Sequence, residues 1–175
     1  MVAQEDSSAI EPEEAHSALR LMRGTGRESW LTAEGTSMEP LIRKGDRIRF
    51  RMDPPAGIEP GGLIVFIRDG ALICHRLLEW REESGSRFAL QAGDAISEPS
   101  AVPEQDVVGV ALELRTRGRS IRLDSAFAVL INKLIAAKRV KTQGGPTGST
   151  RKRFRRLWVF LADRVILLCG RKIHG

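Results

Sequence analysis

Residues 62–80 read GLIVFIRDGALICHRLLEW, two apolar runs rich in strand-forming residues and separated by Asp69-Gly70. A two-residue Asp-Gly turn lets the glycine take a positive φ that matches the twist of two paired strands, so the segment reads as a β-hairpin. The surrounding chain has the same texture. SWLTAEG, RIRFRM, RFALQAG, DVVGVALEL and SIRL are short runs broken by Gly, Pro and Asp, which is strand patterning with turn punctuation. The chain of 175 residues is long enough for one core and short for two. A mainly β body over residues 29–123 is therefore expected, and it puts His75 on a strand.

The flanks differ. Residues 1–28 form a polar leader in which 12–22 can make one helix with apolar contacts at Leu19 and Leu21. The leader has neither the basic start nor the apolar run of a secretory signal. After Leu123 the period changes: Asp124 can cap a helix over 124–140 in which Phe127, Leu130, Ile131, Leu134 and Ile135 recur at three- and four-residue spacing. Residues 141–150 have linker composition. Residues 151–175 then place Phe154, Leu157, Trp158, Leu161, Val165 and Leu168 on one helical face of a basic segment.

The net charge of +6 is unevenly spread, because eleven of the 28 Lys and Arg lie from Lys138 onward, where Asp163 is the sole acid. Positive charge thus belongs to the tail, and two destinations suit it: an anionic membrane surface, on which an amphipathic basic helix lies flat, or the protein's own core. Asp163 and Arg164 break the apolar run short of a membrane-crossing length. Nucleic acid, which RKRFRR could contact, is disfavoured, since the body is acidic. Cys74 and Cys169 show no metal spacing and read as free thiols of a reducing compartment. A cytoplasmic protein, peripheral at the inner membrane face, is expected, with no cofactor and no metal.

Three places carry chemistry. In EGTSMEPLIRKGD, Ser37 sits in a Gly-containing turn that can expose its hydroxyl and aim nearby N–H groups at one point, as an oxyanion requires. Serine alone is a poor nucleophile and needs a base within about 2.6–3.2 Å. His16 lies in the leader and His174 next to the end, which leaves His75, a ring amid Leu72, Ile73, Leu77 and Leu78 that needs a polar partner. Gly93-Asp94 closes a later strand and offers a carboxylate that can hold an imidazole in the required tautomer. Taken singly, each has a plain structural explanation: turn serine, satisfied core histidine, Gly-Asp turn.

Taken in order, they resemble the signal peptidase I superfamily, of the LexA/signal peptidase clan. The resembling residues are Gly35, Ser37, Met38, Pro40, Gly45 and Asp46, then His75-Arg76, then Gly93-Asp94-Ala95 with Val107, Val108 and Gly109. The likeness runs from Trp30 to Leu114. It is nearest to the branch of the endoplasmic reticulum, archaea and spore-forming bacteria, in which His replaces the catalytic Lys. Lys44 lies seven residues past Ser37, and the next lysine, Lys133, falls after the strands.

The resemblance implies a coiled β-sheet fold with C-terminal helices and a serine endopeptidase that cleaves precursor or leader peptides. It also implies roles: Ser37 attacks, His75 is the base, Asp94 orients His75, and the backbone at Thr36, Ser37 and Met38 serves the oxyanion and substrate. Relatives carry a second acid after the Gly-Asp-Ala box, and Glu98 is the nearest here. Two other functions share the fold. One is a self-cleaving LexA-like regulator, although the residues before Trp30 are too few for its DNA-binding domain. The other is a silent module holding a peptide as an added strand.

Overall fold

The computed structural model describes residues 12–96 and 98–141. Residues 1–11 of the leader, the linker beyond Lys141 and the basic segment 151–175 lie outside them. A short helix α1 (Pro12–Leu21) precedes strands β1 (Glu28–Thr32), β2 (Arg47–Arg51), β3 (Leu63–Arg68), β4 (Ala71–Glu83), β5 (Ser86–Ala92), β6 (Ser100–Pro103), β7 (Val107–Thr116) and β8 (Arg119–Arg122). Helix α2 (Ala126–Lys141) follows. The strands form one antiparallel sheet in the order β1-β2-β7-β3-β4-β5-β6, with β8 added on β7, and it curls into a half-barrel. The expected mainly β architecture followed by a helix is what the chain adopts.

The expected Asp69-Gly70 hairpin forms, pairing Arg68 with Ala71 and Ile64 with His75. Two further turns use the same device: Ser84-Gly85 joins β4 to β5 and Arg117-Gly118 joins β7 to β8, each pairing a first residue near φ 50 with a glycine above φ 70. Strand β6 escapes the sequence reading because it is four residues long and ends in Pro103, a residue compatible with the edge it occupies.

The all-apolar run of β3 follows from its central place. Leu63, Val65 and Ile67 enter one core cluster with Ile48, Phe50 and Leu114, while Ile64 and Phe66 enter a second with Leu77, Ala89 and Val107 on the other face. Strand β4 serves two partners: Ala71–Arg76 pairs with β3, Arg76–Glu83 pairs with β5, and a register shift between Leu77 and Glu79 lets the strand bend. In β7, Gly109 passes so close to β2 that a Cβ there would overlap the Arg51 carbonyl. That approach accounts for the glycine inside an otherwise apolar strand.

Helix α2 lies against β4 and β5, where Ala136 joins Leu78, Leu90 and Ala92. Its buried face carries Ala128, Asn132, Ile135, Ala136 and Arg139, whereas Leu130 and Leu134 are exposed. The face expected from apolar spacing is thus rotated, because two polar side chains, Asn132 and Arg139, are drawn inward by partners described below. Replacing Ile135 by Ala should lower the unfolding free energy by about 2–5 kcal/mol. Replacing Leu130, which is 55% exposed, should change it by only ~0.5 kcal/mol. Urea titration of the two variants tests which face docks.

Candidate functional site

The Ser37 turn is built from its base upward. Ala33 N–H donates to Asp46 O and Gly45 N–H to Ala33 O, closing the loop that leaves β1 and returns as β2. The Asp46 carboxylate accepts from Arg43 N–H at 2.8 Å, which explains a buried acid after Gly45. Met38, Leu41 and Ile42 sink into the core and fix the turn from beneath. Thr36 stays exposed and Ser37 is half-buried at the surface of the fold.

His75 reaches this turn from β4. Ser37 Oγ and His75 Nε2 lie 2.8 Å apart, within the reach a proton acceptor needs. On the far side of the ring, His75 Nδ1 is 2.6 Å from Gln91 Oε1, and Gln91 Nε2 donates to Ser100 Oγ at 2.6 Å. Arg68 donates to the same Ser100 oxygen at 3.1 Å. With Gln91 oriented to donate to Ser100, its oxygen accepts from His75 Nδ1–H, and Nε2 is left with the lone pair that faces Ser37. The ring packs edge-on to Phe66 with centroids 5.8 Å apart. Burial holds the His75 pKa below its ordinary value, an effect larger than the opposing hydrogen bond that His75 donates to Gln91 and the opposing charge of Asp94.

Asp94 does not occupy the orienting position. Arg76 Nε and Nη2 donate to its two oxygens at 2.9 and 2.6 Å, both side chains being fully buried. Arg139 adds a contact to Asp94 Oδ1 at 3.3 Å and donates to the Gly93 and Ile96 carbonyls. Arg76 Nη1 also donates to Asn132 Oδ1 at 2.5 Å. The physical reason is strand parity: Asp94 lies two residues past Ala92, which pairs with Arg76, whereas Gln91 pairs with Leu77 and so shares the face of His75. Glu98 is exposed, and among the described residues it makes no hydrogen bond or ion pair.

Asp94 nevertheless reaches the turn indirectly. Ala95 N–H donates to Ser37 O at 2.8 Å, and Gly93 lies so close that a Cβ would overlap that same carbonyl oxygen. The Gly-Asp-Ala box is therefore a splint: glycine allows the approach, alanine supplies the N–H and aspartate is clamped by two arginines.

A groove of about 620 Å³ leads to the pair, lined by Leu31 and Thr32 of β1, the Ser37 turn and Ala71–His75 of β4. Cys74 also lines it, as a free thiol whose pKa burial pushes up to about 12, so it is protonated and unreactive at neutral pH. Sequence reading missed Gln91, Ser100, Arg68, Asn132 and Arg139. A buried glutamine inside the apolar strand RFALQA was the one available signal for the first of these.

Removing the carboxylate as Asp94→Ala leaves Arg76 buried beside empty space, and should cost about 3–5 kcal/mol of stability. Guanidinium unfolding measures it; a loss under ~1 kcal/mol, the scale of an exposed pair, would contradict the clamp.

A model of the Peptidase S24-like family matches residues 3–119, a span holding Ser37, His75, Gln91 and Asp94. No curated protein matches the chain. The match takes in well over half of the sequence, starts inside the polar leader and ends at the first residue of β8. With a curled antiparallel sheet and a serine facing an imidazole at its groove, the chain belongs to the Peptidase S24-like family, and with it to the broad class of serine peptidases and LexA-like self-cleaving proteins.

Proposed function

We propose that this chain is a serine endopeptidase that cleaves precursor or leader peptides as signal peptidases of the His-type branch do, with Ser37 as nucleophile and His75 as general base. The observation that carries the reading is the 2.8 Å contact between Ser37 Oγ and His75 Nε2 at the end of an open groove. In this reading His75 takes the Ser37 proton as Oγ attacks the peptide carbonyl, then returns it to the leaving amine. Gln91 is the orienting residue and Asp94 a positioning residue for the Ser37 turn. The oxyanion is served by the backbone N–H groups of Ser37 and its neighbours Thr36 and Met38. Among the described residues, the Ser37 and Met38 N–H groups have no acceptor.

The substrate fits as an extended chain. Strand β1 pairs only with β2, and β5 begins pairing with β4 only at Arg76, so Ala71–His75 present an unpaired edge across the groove from β1. A peptide laid between them gains main-chain hydrogen bonds on both sides. Leu31, Ile42, Ile48 and Leu72 give the groove an apolar floor, suited to apolar precursor segments. We further propose that residues 151–175 hold the protein at an anionic membrane on the cytoplasmic side, a reading supported by their basic amphipathic composition alone.

The S24-like match favours one second reading, self-cleavage, in which the groove receives a segment of the same chain. A fragment present in wild type and absent from Ser37→Ala at every protein concentration would establish it.

Ser37→Ala should abolish cleavage of an apolar test peptide; unchanged cleavage rejects the assignment. Gln91→Ala should lower kcat by roughly 10²-fold or more with little change in KM, since it frees the ring to adopt the other tautomer. The pH dependence follows from the lowered His75 pKa. Because that pKa is held below the ordinary 6.5, the fall in rate on the acid side should be centred below pH 6.5. Gln91→Glu puts a carboxylate on Nδ1 and should move that fall upward by about 1–3 pH units. An unmoved profile excludes His75 as the titrating group.

A further inference from the structure

A second cavity lies away from the Ser37 groove and shares no lining residue with it. It measures about 240 Å³ and opens between the loop before β3, strand β7 and the first half of α2. Ile58, Leu63, Val110, Leu112, Leu123 and Val129 give it a mainly apolar wall. The charged residues around it are all paired within the fold. Arg51 donates twice to Asp53 at 2.6 and 2.8 Å, Lys133 meets Glu59 at 2.5 Å and Asp124 meets Arg122 at 2.9 Å. Nothing in this cavity therefore calls for a charged ligand.

Asn132 adds an independent sign. It lies on α2, is 4% exposed and lines the cavity. Gly61 lets the helix come this near, since a Cβ there would stand 2.7 Å from the Asn132 carbonyl carbon. Asn132 Oδ1 accepts from Arg76 Nη1 at 2.5 Å, and because a guanidinium only donates, the amide cannot turn its nitrogen to that side. Nδ2 is held away from Arg76, and no acceptor bonds it among the described residues. It is not closed off either: the unpartnered side-chain atoms sealed from solvent are Arg49 Nε and Thr116 Oγ1. Asn132 thus offers an open N–H donor of fixed orientation at an apolar cavity.

Bulk water can meet that donor, but it leaves the apolar wall wetted. A ligand that covers the wall with an apolar body and brings a carbonyl oxygen to Nδ2 removes both costs. A dry cavity of about 150 Å³ holds benzene, so about 240 Å³ admits one ring with a short carbonyl-bearing substituent.

We propose that this cavity binds a neutral small molecule with an aromatic or branched apolar body and a carbonyl acceptor, held by Asn132 Nδ2. Nothing in this binding requires Ser37 or His75. Acetophenone is the probe, and ethylbenzene, in which a methylene replaces the carbonyl, is its control. Each is titrated into isotopically labelled full-length protein while the NMR signals of the Asn132 side-chain amide and the Val110 methyl groups are followed.

Acetophenone should shift both sets of signals saturably, with a dissociation constant of about 1 mM or below. Ethylbenzene should bind roughly 2–10-fold more weakly, the share of one neutral hydrogen bond. Asn132→Asp keeps an oxygen for Arg76 and loses the donor, so the preference for acetophenone should vanish or reverse. Val129→Phe fills the cavity from its partly exposed side and should abolish binding of both probes. In wild type, no saturable shift with acetophenone, or equal affinity for the two probes, overturns the proposal. So does Val129→Phe protein that binds acetophenone as tightly as wild type, or Asn132→Asp protein that prefers it to the same degree. The wild-type comparison decides even where a substitution prevents folding.

Discussion

The buried pair of Arg76 and Asp94 is the constraint on which the candidate site depends. Arg76 follows His75 directly in β4 and points to the opposite face, where its guanidinium meets a carboxylate, an asparagine of α2 and a carbonyl of the β3 approach. Through Asp94 it fixes the Gly93–Ala95 segment, and that segment carries the N–H that holds the Ser37 carbonyl. One ion pair therefore ties together the strand bearing the imidazole, the helix that covers it and the turn bearing the hydroxyl. Because Ser37 and His75 come from distant parts of the chain, their 2.8 Å separation is only as well defined as this splint.

A buried ion pair is a weak source of net stability, since desolvation offsets most of its attraction. Its value here is geometric. Leu78, Leu90, Ala92 and Ala136 supply the apolar contact that docks α2, but small and aliphatic side chains tolerate sliding. Asn132 and Arg139, two turns apart on the helix, fix its position against the Arg76 head and the Gly93 and Ile96 carbonyls. This also explains why the apolar spacing of α2 misled: its buried face follows two polar side chains, and Leu130 and Leu134 are left outside.

How far the sequence could be read follows from what each signal encodes. Alternation and turn residues gave the β body and the 69–70 hairpin because both are local. Ser37 and His75 were legible because one sits in a turn that exposes it and the other is a polar ring in an apolar strand. The orienting residue was not, because Gly93-Asp94 does not disclose which way its carboxylate faces. Pairing does: once Arg76 stands opposite Ala92, every second residue from Ala92 belongs with Arg76, and Gln91 belongs with His75. The register depends on the bend in β4 and on a β4–β5 turn at Ser84-Gly85 that the sequence reading passed over. Residues 1–11 and 142–175 lie outside the described residues, so the expected linker and basic C-terminal helix stand untested.

The division of labour between charge and dipole is the last consequence of that register. Turning Asp94 toward His75 would stabilise the imidazolium and raise the pKa of the ring, but would take from Arg76 the carboxylate it now holds with two hydrogen bonds. The chain instead keeps its buried carboxylate between two arginines and gives the ring a neutral amide. Gln91 can fix the tautomer as an aspartate would, since only an acceptor at Nδ1 is required. It adds no full negative charge, so burial prevails and holds the ring's pKa below its ordinary value. The imidazole is thereby ready to accept a proton over a wider acidic range, but the protonated ring formed during attack is stabilised less. A site of this kind gives up rate in the chemical step and relies more on holding an extended peptide firmly between two strand edges.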